Sequence, residues 1–329
     1  MTERGFFAFF GACCAGALAM IGLMAGAAYA VSLLPDDTPE RLEKLGFIRG
    51  VSLAEESAVL SDAASDEPYP ASEESGEESS GAALAASVTL DLSRGGGKIY
   101  LQNETAYKVS ARDALDGANA AGDIRGTPPT VLVFHTHGTE SYAGSGSDRS
   151  ENTKENVVAA GEALCDALRS LGIFALHDTN MYDKDDFSAA YAKSRAAAEE
   201  WIRRFPAVRY IIDVHRDSVE SGGVAAAAVA EVEGRRAAQI MIVVGTDEKA
   251  GRHTGWKDNF SLALKLQEEL MKISPSLVRP IYLRSASFNQ DLSPGALLIE
   301  IGTQGNTLEE AEYSAELLAN AMASCFSDE

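Results

Sequence analysis

Three short stretches of this 329-residue chain carry side chains suited to chemistry. The first, VLVFHTHGTESY (131–142), places His135, His137 and Glu140 at the end of an apolar run, with Gly138 between the last two. Four apolar residues after Pro128 and Pro129 read as a buried strand. Side chains at i and i+2 of a strand share a face, so His135 and His137 point the same way if the strand persists that far. A turn at Gly138 brings Glu140 back beside them. Neutral imidazole plus carboxylate is a common zinc-ligand set. Two solvated loop histidines would give the same pattern, so this stretch does not decide the matter by itself.

The second stretch, YIIDVHRD (210–217), is another apolar run that ends on a histidine, His215, flanked by carboxylates. Sites in open α/β sheets assemble at the carboxyl ends of the strands. Two such ends side by side supply His, Glu and His and leave a fourth position for water, as catalytic zinc requires. Asp213 shares the His215 face and is placed to orient its other ring nitrogen. The third stretch is ALLIEIG (296–302), where Glu300 interrupts a buried apolar run. A carboxylate there is costly unless paired or beside a metal. One reading is a structural ion pair. The functional reading is a general base that takes a proton from a metal-activated water and returns it to the leaving amine. Desolvation would raise its pKa towards neutrality, which suits both duties.

The elements that must position these residues follow from periodicity. Residues 88–106 alternate around Gly95-Gly96-Gly97 as a hairpin or two short strands. Beyond Thr130, strands alternate with helical patterns, the signature of a mostly parallel sheet flanked by helices, an α/β fold. Helices are expected at 156–170, 187–205, 258–272 and 307–324, with Gly172 stopping the first. Strands are expected at 173–176, 208–215, 278–283 and 296–302, and 224–231 with 238–245 as a pair turning at Gly234.

The net charge of -21 argues against nucleic acid as a partner, because phosphate binding needs basic patches. Much of that charge is local. Residues 54–87 contain no Lys or Arg and are rich in Ser, Ala and Glu, so the region 35–87 reads as a disordered acidic tether. Residues 6–34 form an uncharged, mostly apolar run, longer than the roughly 20 needed to cross a bilayer. Ala28-Tyr29-Ala30 fits a signal-peptidase pattern, but the apolar run continues past it, favouring an uncleaved N-terminal transmembrane helix over residues 1–34. The catalytic region is then 88–329. Of the four cysteines, Cys13 and Cys14 lie in the apolar run, and Cys165 and Cys325 are expected as free buried thiols in preference to a disulfide between them, with no zinc spacing among the four.

These segments together resemble the stage II sporulation protein P family of cell-wall hydrolases. The matching pieces are VLVFHTHGTESY (131–142), the 156–172 helix with its downstream HD, YIIDVHRDS (210–218), MIVVG (241–245) and SFNQDLSPGALLIEIGTQGNTLEEA (287–311). That family is similar to zinc N-acetylmuramoyl-L-alanine amidases, and the resemblance implies an amidase-like fold. It implies cleavage of the amide joining MurNAc to the stem peptide of peptidoglycan, with a second, endopeptidase activity on stem cross-links. By the same resemblance His215 holds Zn2+ and Glu300 is catalytic. The amidase pattern places His137 on the first ligand, with His135 two residues earlier. The third ligand falls on Glu140, within TES, although amidases carry theirs nearer the next helix, where Glu151 and Glu155 stand. The resemblance also implies a membrane-anchored protein acting on the extracytoplasmic side in septal wall thinning and engulfment, alongside a lytic transglycosylase.

Arg216 and Arg284 are candidates to bind stem-peptide carboxylates bidentately. Asn289 and Asn306, with Asn259 and Gln290, are candidates to hold substrate amides; structural salt bridges and caps are the competing roles. His177 and His253 read as ordinary loop histidines. Two rival functions stand beside the amidase: a zinc peptidase without amidase action, and a non-catalytic wall-binding scaffold.

Overall fold

Alternating apolar strands fed by amphipathic helices produce one eight-stranded sheet in the computed structural model, which describes residues 88–91, 98–111, 114, 128–221, 224–249 and 251–326. The expected transmembrane helix (1–34) and acidic tether (35–87) lie outside the described residues. Among those described, no helix is long and apolar enough to cross a membrane. In chain order the elements are β1 (Val88–Asp91), β2 (Lys98–Asn103), β3 (Val131–Phe134), α1 (Val157–Ser170), β4 (Ala175–His177), α2 (Ala190–Arg204) and β5 (Tyr210–Asp217). Short strands β6 (Glu220–Ser221), β7 (Val224–Ala225), β8 (Val229–Val232) and β9 (Arg235–Ala238) follow. The chain closes with β10 (Ile240–Gly245), α3 (Trp256–Ile273), β11 (Ile281–Arg284), β12 (Gly295–Thr303) and α4 (Leu308–Cys325).

The sheet order is β1-β2-β11-β10-β12-β5-β3-β4. The β1–β2 and β10–β12 pairs are antiparallel and all the other neighbours are parallel. This is the mostly parallel sheet expected, with one correction. The pair expected over 224–245 is instead a separate hairpin, β8–β9, that turns at Glu233-Gly234, and β10 belongs to the main sheet. Gln239, between β9 and β10, donates its side-chain amide to the Ser276 carbonyl where the chain passes from one sheet to the other.

Strand alternation divides the sheet into two faces. Val131, Val133, Ile212, Val214, Leu297, Ile299 and Ile301 enter the main core with the apolar stripes of α1, α3 and α4. The opposite face carries Asp213, His215, Leu298 and Glu300, and α2 covers part of it: Ser194 Oγ meets Thr136 Oγ1 at 2.9 Å. Helix ends are satisfied locally. Asn156 caps α1 by accepting from the Val158 N–H, and Thr307 with Glu310 forms a reciprocal capping box on α4. Cys165 and Cys325 are both free.

Candidate metal centre

The site is built where three strands end. Strand β3 stops at Phe134, and a turn closed by the Glu140 N–H donating to the His137 carbonyl (3.1 Å) follows. That turn carries His137 and Glu140 to the α2 side of the sheet. Parallel pairing sets β5 beside β12 with His215 directly opposite Glu300. Just beyond, the register slips by one residue between Glu300 and Thr303. Gly302 sits there at φ +72, and a Cβ on it would lie 2.7 Å from Asn306 Oδ1 and 2.8 Å from the Ala238 methyl. Only glycine fits both the left-handed backbone and the close approach.

His137, Glu140 and His215 each offer one ligand atom, and all of these lie within 4.8 Å of one another. Glu140 reaches both rings, with Oε1 3.4 Å from His137 Nδ1 and Oε2 3.3 Å from His215 Nδ1. The other His215 nitrogen, Nε2, lies 2.9 Å from Asp213 Oδ1. Asp213 is itself fixed by the backbone N–H (2.8 Å) and hydroxyl (2.6 Å) of Thr136. A carboxylate behind a ligand histidine is the usual way a metal site sets ring orientation.

Electrostatics fit a cation in the middle. Burial opposes a charge on His215, but Asp213 and then Glu140 outweigh it and hold its pKa well above the ordinary value. Burial likewise opposes ionisation of Glu140, yet His215 and His137 pull it well below the carboxylate range. The carboxylates around His215 thus favour positive charge at the middle of the cluster. Two imidazoles and a carboxylate, with a fourth direction left over, suit tetrahedral zinc.

Glu300 adjoins this cluster. Its side chain is partly exposed as a whole, but Oε2 is enclosed and has no hydrogen-bond partner among the described residues. Desolvation pushes its pKa up to about 8, with Asp217 and Glu140 adding to the rise and His215 opposing it. The structural ion-pair reading finds no support, since the nearby Arg279 donates to Asp217 at 2.6 Å instead.

Several predicted residues lie elsewhere. His135 follows the alternation of Val131 and Val133 onto the α1 face, because the strand ends before His137 and the turn reverses the side. Its Nδ1 sits 2.9 Å from the Val214 carbonyl and its Nε2 2.9 Å from His177 Nε2, so both nitrogens are engaged away from the cluster. Glu151 is exposed and pairs with Lys184, while Glu155 accepts from the Ser150 hydroxyl. Arg216 is buried: Nε donates to the Ser141 carbonyl and Nη2 to that of Asp148, so it braces the Glu140 turn and presents no fork to a substrate.

Arg284 pairs with Glu104 in register with Gly245, four residues along β10 from Met241, the partner of Glu300. The antiparallel β10–β12 step explains this, because the carboxyl ends of β10 and β11 face away from the site. Asn306 is fully buried and committed to Thr303, Ala228 and Glu310. Asn289 is buried against α2, donating to the Tyr191 carbonyl, and Asn259 and Gln290 hold backbone groups around β10 and β12.

Other residues at the site left no mark in the sequence. Phe187, expected as the first residue of a helix, precedes α2 and stacks on the His137 ring at 4.3 Å, and Tyr191 meets that ring edge-on at 5.5 Å. Arg149 joins through the Glu140–Arg149 backbone bridge and an ion pair with buried Asp183.

The chain as a whole has relatives among known proteins. The chain is 30% identical over 219 residues to "Stage II sporulation protein P" of Bacillus subtilis (strain 168), covering 62% of this chain and 51% of that protein. It therefore spans about half the length of that curated relative. Similar solved structures include the N-acetylmuramoyl-L-alanine amidase AmiC2 of Nostoc punctiforme, at 12% identity and a TM-score of 0.37, covering 60% of this chain and 94% of that one. The N-acetylmuramyl-L-alanine amidase Ami1 of Mycobacterium smegmatis matches at 13% identity and a TM-score of 0.37, covering 62% and 99%. The family model of stage II sporulation protein P matches residues 53–323, and the chain belongs to that family.

Proposed function

We propose that this chain is a zinc-dependent peptidoglycan hydrolase that cleaves the MurNAc–L-Ala amide bond and, secondarily, stem-peptide cross-links. In this reading residues 1–34 anchor it in the membrane. Residues 88–329 act on the extracytoplasmic side, in septal wall thinning and engulfment alongside a lytic transglycosylase. Family membership and the name of the Bacillus relative support the setting. The observation that carries the chemistry is the convergence of His137, Glu140 and His215 beside the unpartnered carboxyl of Glu300.

His137, Glu140 and His215 would hold the zinc, with Asp213 orienting His215. Bound there, zinc supplies polarisation of the scissile carbonyl and lowers the pKa of water to about 7. Glu300 takes the proton from the attacking water and delivers it to the leaving nitrogen. Its raised pKa suits a group that must both accept and return a proton near neutrality. A neighbouring cation favours its ionised form and so readies it as the base.

The test is to incubate the purified chain with purified peptidoglycan, with and without a chelator, and to identify the released fragments by mass. Free stem peptides with an L-alanine amino terminus, lost on chelation and restored by zinc, are the expected products. Release of cross-link fragments alone would instead establish the zinc peptidase. No release under any condition would establish the scaffold.

A further inference from the structure

Three arginines approach the metal centre from its own end of the sheet, and they differ in what their guanidinium groups have left to offer. Arg216 is buried with Nε and Nη2 both held by backbone carbonyls. Arg279 is held by Asp217, and its Nε and Nη1 are sealed from solvent. Arg149 is different. Its side chain is 42% exposed, although Nη1 is anchored on the fully buried carboxylate of Asp183 (2.7 Å) and on Thr139 Oγ1 (3.1 Å). Among the described residues its Nε and Nη2 have no hydrogen-bond partner.

The surroundings of Arg149 place it beside the candidate site, with the Phe187 ring as its link to His137. Its guanidinium carbon stands 4.4 Å over the Phe187 ring, and that ring stacks on His137. Phe187 is itself 40% exposed, one of few large apolar side chains so exposed among the described residues. An exposed aromatic with an anchored cation above it and a metal-ligating imidazole beside it is a wall of the site, preformed and partly apolar. A guanidinium with one edge fixed and the other open fits a carboxylate bidentately.

We propose that Arg149, stacked on Phe187, is the specificity-determining residue of this site. It binds a carboxylate of the stem peptide near the scissile amide, while the exposed edge of the Phe187 ring receives the aliphatic carbons next to it. This inference rests on the hydrolase reading above and names the substrate feature that the site selects. It gives Arg149 the role that the sequence assigned to Arg216 and Arg284.

The experiment compares two disaccharide-peptide substrates that differ only in whether the peptide carboxylates are free or converted to carboxamides. Initial rates and bound zinc are measured for wild type, Arg149→Lys, Arg149→Met and Phe187→Leu. Arg149→Lys keeps a charge opposite Asp183, so it stays interpretable should Arg149→Met fold poorly. The expected result is a fall of about ten-fold or more in the ratio of kcat/KM for free over amidated substrate in Arg149→Met, carried by KM. A smaller fall is expected in Arg149→Lys, with zinc content retained in both. Phe187→Leu should raise KM for both substrates alike. An unchanged ratio, or equal losses on both substrates accompanied by loss of zinc, overturns the proposal and leaves Arg149 as a brace for the Glu140 turn. Wild type cleaving neither substrate overturns the hydrolase reading itself, and this inference with it.

Discussion

Two pairs of histidines stand on opposite faces of the same sheet, and each pair has one member from the segment that ends β3. On the α1 face, His135 and His177 touch through their Nε2 atoms at 2.9 Å, under Gly161, and burial together with His177 drives the pKa of His135 down to about 3. On the α2 face, His137 and His215 flank Glu140, with Asp213 behind, and His215 is pushed the other way. Residue type is identical in the two pairs. What differs is the number of carboxylates facing them: two reach His215, whereas His177 has only the more distant Glu162, at 3.7 Å. His135, buried against a second imidazole, is held towards its neutral form and packs, whereas His215, wrapped in carboxylates, favours a positive charge. Position within a motif therefore says less about a histidine than the charges its neighbours bring.

The sharpest way to break this comparison is to remove one member from each pair. His215→Ala should abolish stoichiometric zinc and lower peptidoglycan cleavage at least about a thousand-fold, read by metal analysis and fragment release. His177→Gln, which keeps a donor towards His135, should retain zinc and most activity. Loss of metal in both variants would make the two pairs one functional unit. Glu300→Gln separates binding from chemistry. The rate should fall by roughly 10²–10⁴ with zinc retained, the range expected for loss of a general base.

Much of this arrangement was legible in the chain because it depends on alternation and on charge within apolar runs. Glu300 and His215 each interrupt a buried strand, and both side chains fall on one face by simple parity. The parity of His135 against His137 was not legible, since it turns on β3 ending after four residues. Glu140 rather than Glu151 or Glu155 stands beside the imidazoles because the turn after β3 closes immediately, a contact made by backbone groups that carry no residue identity. The misplacement of Arg284 has another source. Nothing local tells that β10 runs antiparallel to β12, and that one reversal sends the carboxyl ends of β10 and β11 away from the candidate metal centre. Phe187 and Arg149 were hidden for the same kind of reason, since both lie in loops whose paths are set by long-range packing.

A milder disturbance falls on the packed pair alone. A Cβ at Gly161 would lie 2.5 Å from His135 Cε1 and 2.9 Å from His177 Nε2, nearer than real atoms approach. Gly161→Ala should therefore lower unfolding free energy by about 1–3 kcal/mol, typical of forced overpacking, as read from the urea midpoint. Zinc affinity should stay close to wild type, because the strain lies on the far face of the sheet. A large drop in affinity would show that the two faces are mechanically linked through β3.

The pH dependence of stability sharpens the contrast further. In the folded state His135 protonates only near pH 3, whereas in the unfolded chain it does so near its ordinary value of 6.5. Between those values the unfolded state binds the extra proton, so stability from this residue is complete above about pH 6.5 and drains away as pH falls. At pH 5 the loss amounts to roughly 2 kcal/mol, from one and a half pH units at about 1.4 kcal/mol each. Groups elsewhere titrate over the same range, and His215, with its raised pKa, contributes in the opposite sense. The comparison must therefore be made against His135→Asn, in which every other group is shared. Urea unfolding of the zinc-free chain at pH 7.5 and at pH 5 should show wild type losing more stability on acidification than the variant, by about that amount. Equal losses would mean that His135 carries a proton in the folded state and that the contrast between the two faces is weaker than the geometry indicates.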